Sequence, residues 1–357
     1  MGTSARHARS IGIARNYPPN RVNTPTIEKQ VDLSTFTTFG VHAIANRLIS
    51  CTTIEQLASA LSSTPNARVL GGGSNILITH SSFDDVIHVR IKGIEVVAET
   101  ATHVHVRVGA GEAWHDFVTW CVMHDYGGLE NLALIPGTVG AAPIQNIGAY
   151  GVEQQSCCVE VCVVDRERGS QRTFTGRACE FAYRSSIFKT SQAGKYAIAS
   201  VTYQLSKPPH IVHHAYKDVQ HALAGIEHPT IAHVYHAVVA IRTNKLPDPS
   251  VVGNAGSFFK NPVVTMEHYQ RVLRSYSTMP CYPVDQLHVK VPAAWLIDNA
   301  GWKGYQKGAV GVHQKQALVL INLGGAAGSD VLLLANQIAD SVFEKYGIQL
   351  EMEVNVW

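Results

Sequence analysis

The apolar and polar positions of this chain alternate in short runs that shift between strand and helix spacing, with order expected from about Val31 onward. Thr52 to Glu55 reads as a capping box, followed by a helical stripe of Ile54, Leu57, Ala58 and Leu61. After Pro65, short strands are predicted through Val69 and Leu70 and through Ile76-Leu77-Ile78. Val104, Val106 and Val108 alternate with polar residues, as in a half-buried strand. Trp114, Phe117, Val118, Cys121 and Val122 return to helical spacing, and strands are predicted over Val159 to Val164 and Ala197 to Leu205. Val331, Leu334, Ile338 and Val342 mark a helix from Ser329 to Tyr346, which Gly347 ends. A final strand is predicted with Ile348, Leu350, Met352, Val354 and Val356 on one face and Gln349, Glu351, Glu353 and Asn355 on the other.

Three stretches depart from these patterns. Gly71-Gly72-Gly73-Ser74-Asn75 lies between two strands, where bare backbone amides can turn inward on a phosphate. Gly127 to Gly151 is too irregular for a helix and too apolar for a solvated linker, so an ordered loop packed against the rest of the protein or against a bound ligand is expected. A further glycine loop follows at Gly253 to Gly256. The chain has neither GxGxxG nor GxxxxGK[ST], so a bound dinucleotide would need another scaffold. In the histidine-dense segment His210 to His236, the cluster His210, His213 and His214 has no acid or cysteine at ligand spacing. A surface helix with imidazoles on its polar face, and no metal, is expected there.

Composition narrows the class. At 357 residues with 46% hydrophobic, two or three domains are expected. A net charge of +2 gives no reason to invoke nucleic acid or an anionic membrane. The seven cysteines include no zinc-type pair, which suggests free thiols in a reducing, cytoplasmic setting. No apolar run reaches membrane-spanning length. Residues 1–30 carry Arg6, Arg9, Arg15 and Arg21 with Pro18, Pro19 and Pro25, and are expected to be a disordered extension.

Six ordered segments carry a resemblance. They are Gly71 to Asn75, Asn131 to Gly140, Gln145 to Gly151, Tyr183 to Lys189, Lys245 to Pro249 and Gly253 to Pro262. Together they closely resemble the UDP-N-acetylenolpyruvoylglucosamine reductase family, in its type with the longer tyrosine-bearing loop. The resemblance extends over nearly all of Val31 to Trp357.

It implies an α+β chain: a two-domain FAD-binding fold of the vanillyl-alcohol-oxidase (PCMH) type plus a third, α/β substrate-binding domain. The expected divisions are 31–95 and 96–245 for the FAD-binding subdomains, the second joined by strand 348–357, and 246–347 for substrate. The implied reaction uses NADPH to reduce FAD. Hydride from flavin N5 then reduces UDP-N-acetylglucosamine enolpyruvate to UDP-N-acetylmuramate, a peptidoglycan precursor. The partners implied are these two small molecules, acting on a monomer.

The resemblance also assigns residues. Ser257 is the implied proton donor to carbon, although the residues alone favour a turn serine that only hydrogen-bonds. Arg184 is the implied cation at the substrate carboxylate, where its fork of donors suits developing negative charge. Glu353 is the implied catalytic glutamate. A carboxylate facing an enolate would repel it, so a raised pKa is expected. Glu351 shares its predicted strand face, and periodicity does not separate the two acids. Met352 and Asn355 stand where the family commonly has proline and arginine. For FAD, the implied contacts are Gly71, Gly72, Gly73, Ser74 and Asn75, then Pro136, Gly137, Thr138, Gly140 and Ala141, and Asn146, Ile147 and Gly148. For substrate they are Tyr183, Tyr216, Lys245, Asn261 and Gln316. Two other readings remain: an oxidase on the same flavin fold, with no use for Ser257 or Lys245, and a flavin-binding sensor without turnover.

Overall fold

The computed structural model describes residues 24–357. Of the expected extension, residues 1–23 lie outside the described residues, and order begins earlier than Val31. Thr26–Asp32 forms a strand, β1, paired antiparallel with β2, Ile44–Cys51. Its exposed, charge-bearing sequence is that of a protected sheet edge, which apolar periodicity does not register.

Helix α1, Ile54–Ser63, follows. Its N-cap is Thr53 rather than Thr52: the Thr53 side chain accepts from the Gln56 amide, and the Gln56 carboxamide oxygen takes the Thr52 amide at 2.7 Å. The N-cap therefore lies one residue further along the chain, and the reciprocal side-chain bond reaches the residue before it, so the predicted box does not close. Next come β3, Arg68–Leu70, β4, Ile76–Leu77, and β5, Ser82–Val89. The first sheet has the order β1-β2-β5-β3, with β2 and β3 both parallel to β5.

Both faces of that sheet are covered, as parallel pairing favours. Leu48 and Val86 are partners and face one core, while their neighbours Ile49 and Ile87 face the other. The first stretch of chain thus forms a layer shared between two cores.

One core belongs to a five-stranded antiparallel sheet. Its strands are β6, Ile94–Glu99, β7, His103–Gly109, β8, Cys158–Asp165, β9, Gln171–Thr175, and β10, Tyr196–Ser206, in the order β9-β8-β10-β7-β6. The alternating Val104, Val106 and Val108 are fully buried here against α2, Trp114–Met123, through Trp114, Phe117 and Val118. Gly127 to Gly151 is an ordered irregular loop with two short 3-10 turns, as its composition predicts.

The histidine-dense segment is not one helix. It runs as coil through His214, then as α3, Lys217–Ala222, and α4, Ile231–Lys245. Pro208, Pro209 and Pro229 break any longer helical run. Among the described residues, no group of three or more His, Cys, Asp and Glu side chains is placed to hold a metal ion. No helix there is long and apolar enough to cross a membrane.

The second core gathers the last third of the chain. Two small antiparallel sheets, with α5, Met266–Leu273, and α6, Ala293–Asn299, surround α7, Gly328–Tyr346. Val331, Leu334, Ile338 and Val342 are buried along α7, and Gly347 ends it at φ 66°.

The terminal segment departs from expectation. Only Asn355–Val356 is a strand, and it pairs in parallel with β4, not with the sheet of 96–245. Ile348, Leu350 and Val354 are buried as the alternation predicts, but they pack into the second core, and Val356 is exposed. The earlier residues form no regular strand; their pairing is limited to an isolated bridge between Met352 and Phe259.

Candidate active site

Between the two cores lies a cleft of about 400 Å³, within the usual range for small-molecule sites. One wall is the glycine triplet. There the chain passes so close to the Pro136–Thr138 turn that a Cβ on Gly72 would stand 2.9 Å from Gly137 Cα. A Cβ on Gly71 would stand 2.8 Å from Thr138 Oγ1. Backbone therefore lies against backbone. The amides of Gly72, Gly73, Ser74 and Asn75 donate to no protein acceptor among the described residues. Unspent amides on a side-chain-free loop are suited to an anionic diphosphate, and the apolar walls from Val69, Trp114, Ile144 and Ile198 are suited to an aromatic ring system. These residues fit a flavin dinucleotide.

Of the expected cofactor contacts, Gly71 to Asn75, Pro136, Thr138, Gly140, Ala141, Ile147 and Gly148 line the cleft. Gly137 does not; it supports the triplet from behind, at φ 113°. Asn146 also does not. It is fully buried, and its side chain donates to Glu153 and the Ala182 carbonyl and accepts from the Gln155 amide. With those partners inside the protein, it ties the Gly127–Gly151 loop to the turn that carries Arg184.

That turn is tight. Ala182 and Ser185 exchange backbone hydrogen bonds, leaving Tyr183 and Arg184 at its tip, and Arg184 adopts φ 52°. A left-handed arginine costs on the order of 1–3 kcal/mol, and such conformations cluster at functional sites. Here it lets Nη2 donate to the Gly148 carbonyl at 2.8 Å while Nε stands 3.0 Å from Glu353 Oε1.

Glu353 and Ser257 are brought together by the Phe259–Met352 bridge. The Glu353 amide donates to the Phe258 carbonyl at 2.8 Å and the Lys260 amide to the Glu351 carbonyl at 2.9 Å. Neither bond uses the Met352 amide, so the family's proline and this methionine are equally compatible with the geometry. Asn355 donates through its amide and side chain to the Asn75 carbonyl, joining the chain end to the glycine loop. Asn254 braces the Ser257 loop, accepting from the Gly256 amide at 3.0 Å and donating to the Val252 carbonyl at 2.8 Å. Ser257 itself is exposed and lines the cleft.

The two acids differ in their surroundings. The Glu351 side chain is 70% exposed and paired with Lys260, whereas that of Glu353 is 11% exposed and lines the cleft. Burial pushes the Glu353 pKa up, against the opposing pull of Arg184, Lys189 and Lys260. This is the expected direction. Lys189 is shifted the other way, its pKa lowered by burial first and by Lys260 second.

The expected substrate contacts lie away from this wall. The Tyr183 hydroxyl accepts from the Asn261 amide at 3.4 Å, and burial raises its pKa. The Asn261 side chain accepts from the Ala293 amide at 2.9 Å, at the start of α6. Tyr216 sets its ring edge against Tyr150 at 5.3 Å, and neighbouring Asp218 takes Lys245 Nζ at 2.6 Å. Gln316 is half-buried and does not line the cleft. Three residues in the cleft wall or its support were not anticipated: Gln145, Lys189 and Arg242. The first two sit inside segments that carried the resemblance. Arg242 could have been suspected only as a cation within the otherwise apolar face of α4.

Family models match at two places: an FAD binding domain over residues 45–175, and the C-terminal domain of UDP-N-acetylenolpyruvoylglucosamine reductase over residues 248–357. A reductase of that name from Flavobacterium johnsoniae is 43% identical over 334 residues, covering 92% of this chain and 99% of the relative. One from Pseudomonas fluorescens is 42% identical over 340 residues, covering 94% and 100%. The crystal structure of the Thermus caldophilus enzyme superposes with a TM-score of 0.66 at 24% identity, over 93% of this chain and 99% of that one, and it shares the fold. With near-complete coverage of its relatives and the site assembled as described, this chain belongs to the UDP-N-acetylenolpyruvoylglucosamine reductase family.

Proposed function

We propose that this chain is an FAD-dependent reductase that consumes NADPH and converts UDP-N-acetylglucosamine enolpyruvate to UDP-N-acetylmuramate. The observation that carries the reading is the convergence of Arg184, Ser257 and Glu353 on one side of the glycine-lined cleft. Gly72 to Asn75 would hold the FAD diphosphate through their free amides, with the apolar walls against its rings. When bound, FAD would supply the two-electron chemistry, taking reducing equivalents from NADPH and passing them to the enolpyruvyl group.

The protein's share is charge and proton placement. Reduction at the carbon distal to the carboxylate leaves negative charge on its neighbour, delocalised into the carboxylate. Arg184 is fixed by its bond to Gly148, so it stabilises that charge without reorganising. Glu353, held toward its protonated form by burial, donates to the developing enolate instead of repelling it. The Ser257 hydroxyl, on a loop braced by Asn254, gives its proton to the carbon. Its weak acidity is matched by the strong basicity of the carbanion. Tyr216 and Lys245, adjacent through Asp218, form the rim at which the diphosphate of the sugar nucleotide binds, with Tyr183, Asn261 and Gln316 on the substrate side.

The divisions 31–95, 96–245 and 246–347 belong to the same proposal, amended by attaching 348–357 to the first unit through β4. So does action as a monomer. An oxidase reading is disfavoured by a serine loop held beside a buried acid, since oxidation needs no carbon-protonating group. The test is anaerobic. NADPH should bleach the bound flavin, and the enolpyruvyl sugar nucleotide should restore its oxidised band with UDP-N-acetylmuramate formed. Flavin that stays reduced until oxygen enters would overturn the reading.

A further inference from the structure

The Glu353 carboxyl meets its neighbours through one oxygen. Oε1 lies 3.0 Å from Arg184 Nε and 3.1 Å from Gln145 Nε2. Oε2 takes no hydrogen bond from the described residues, is not among the buried unpaired atoms, and belongs to a residue that lines the cleft. It therefore opens to the cleft.

Gln145 has no freedom to reverse its amide. Its oxygen accepts from Asn75 Nδ2 at 2.9 Å and from Lys189 Nζ at 3.3 Å. An ammonium can only donate, so a flipped amide would set NH2 against NH3+. Asn75 is fixed in turn, because its Nδ2 also donates to the Glu353 carbonyl at 3.2 Å. The Gln145 amide nitrogen must then point at Oε1. An oxygen that accepts from Gln145 and lies 3.0 Å from the Arg184 guanidinium leaves a proton of its own pointing at a cation.

We propose that Gln145, clamped by Asn75 and Lys189, is a positioning residue that fills Oε1 of Glu353 and so confines the carboxyl proton to Oε2, facing the cleft. This rests on the reading of Glu353 as an acid in its protonated form. The charged and titratable groups around it are Arg184 and Tyr183 from the turn, Lys189 from the segment after it, Lys260 from the Ser257 loop, and Glu351 two residues upstream. All three cations favour the ionised form, and burial alone opposes them. The Gln145 contact sets which oxygen holds the proton. A proton on Oε2 can be donated to a substrate oxygen without breaking any contact at Oε1.

Infrared difference spectroscopy of the FAD-loaded protein between low and high pH tests this, with the Glu353 carbonyl band assigned by its loss in Glu353→Gln. If the proton sits on Oε2, the C=O bond is the one to Oε1 and is weakened by the Gln145 hydrogen bond and the nearby Arg184 charge. Gln145→Leu removes that hydrogen bond and should move the band to higher frequency. Lys189→Met loosens the clamp and should move it the same way by less, and Lys189→Arg should return it. In Gln145→Leu, kcat should fall while KM for the sugar nucleotide holds. A band at the wild-type frequency in Gln145→Leu and Lys189→Met would overturn the proposal. Full turnover in Glu353→Gln would instead overturn the role given to Glu353, so the two failures are distinguishable.

Discussion

Arg184 concentrates the mechanism in one removable group. Arg184→Met keeps the aliphatic stem and deletes three things: the 2.8 Å bond to the Gly148 carbonyl, the 3.0 Å approach to Glu353, and a fixed positive charge at the cleft. A hydrogen bond from a charged donor is worth roughly 1.5–3 kcal/mol. Against a total stability of about 5–15 kcal/mol, the variant should fold and remain yellow. The effect on rate is larger in consequence. Losing one preorganised donor at developing charge costs about 10²–10³ in kcat, roughly 2.7–4 kcal/mol. Arg184 also heads the influences that oppose burial at Glu353, so its loss should raise the Glu353 pKa further and carry the alkaline limb of the pH–rate profile upward. Arg184→Lys retains charge, but one ammonium cannot serve Gly148 and Glu353 together, so its rate should fall between the two. The assay is stopped-flow reoxidation of the flavin by the enolpyruvyl substrate across pH. A kcat for Arg184→Met within about threefold of wild type, with an unmoved alkaline limb, would show that Arg184 neither stabilises the developing charge nor sets the Glu353 pKa.

Four further outcomes are expected. Ser257→Ala should lower kcat by about 10²–10⁴ while anaerobic flavin reduction by NADPH keeps its rate, because that half of the reaction needs no proton on carbon. Gly72→Ala should weaken FAD retention and lower stability by roughly 1–3 kcal/mol, read by flavin release on dilution and urea melts, since its Cβ would press on the Gly137 backbone. Lys245→Ala should raise KM for the sugar nucleotide with little change in kcat, and little change in melting temperature, because its pair with Asp218 is exposed. The pH dependence of stability has a definite sign at Glu353: its folded pKa lies above the ordinary 4.5, so it contributes stability at low pH that is lost as pH rises through the folded value. Urea melts should show that decline in the wild type and a smaller one in Glu353→Gln.

Local pattern revealed much of the fold and only part of the site. Helix α7 was legible because four of its buried residues, Val331, Leu334, Ile338 and Val342, recur at helical spacing and a left-handed glycine ends it. Strand β7 was legible because one face is fully buried and the other polar. Edge strand β1 was not, since an edge protects itself with charge and leaves no apolar face to read. The histidine segment misled because imidazole spacing says little about where prolines interrupt a helix. Asn146 is expected as a ligand contact and its side chain is spent on internal partners, because a buried asparagine in a glycine-rich loop satisfies either role with the same residue type.

The harder failures share a cause. Periodicity placed Glu351 and Glu353 on one face, as a regular strand would. What separates them is an isolated bridge to Phe259, which ends regular pairing and turns Glu353 toward a loop nearly a hundred residues earlier. The same acid is gripped by Gln145 across 208 positions, and its carbonyl by Asn75 across 278. Arg184 reaches it only from a left-handed turn that its own residue type disfavours. Two of these contacts, those of Gln145 and Asn75, join residues 353–357 to stretches that break the strand and helix pattern. The cleft is therefore completed only when residues 353–357 dock on β4 and the glycine loop, and the acid cannot be positioned before the last strand is. Trp357 adds to that closure, its carbonyl accepting from the Thr79 amide and side chain, both at 2.7 Å. A site built this way leaves little local signature, because the information that fixes it is the pairing of distant segments.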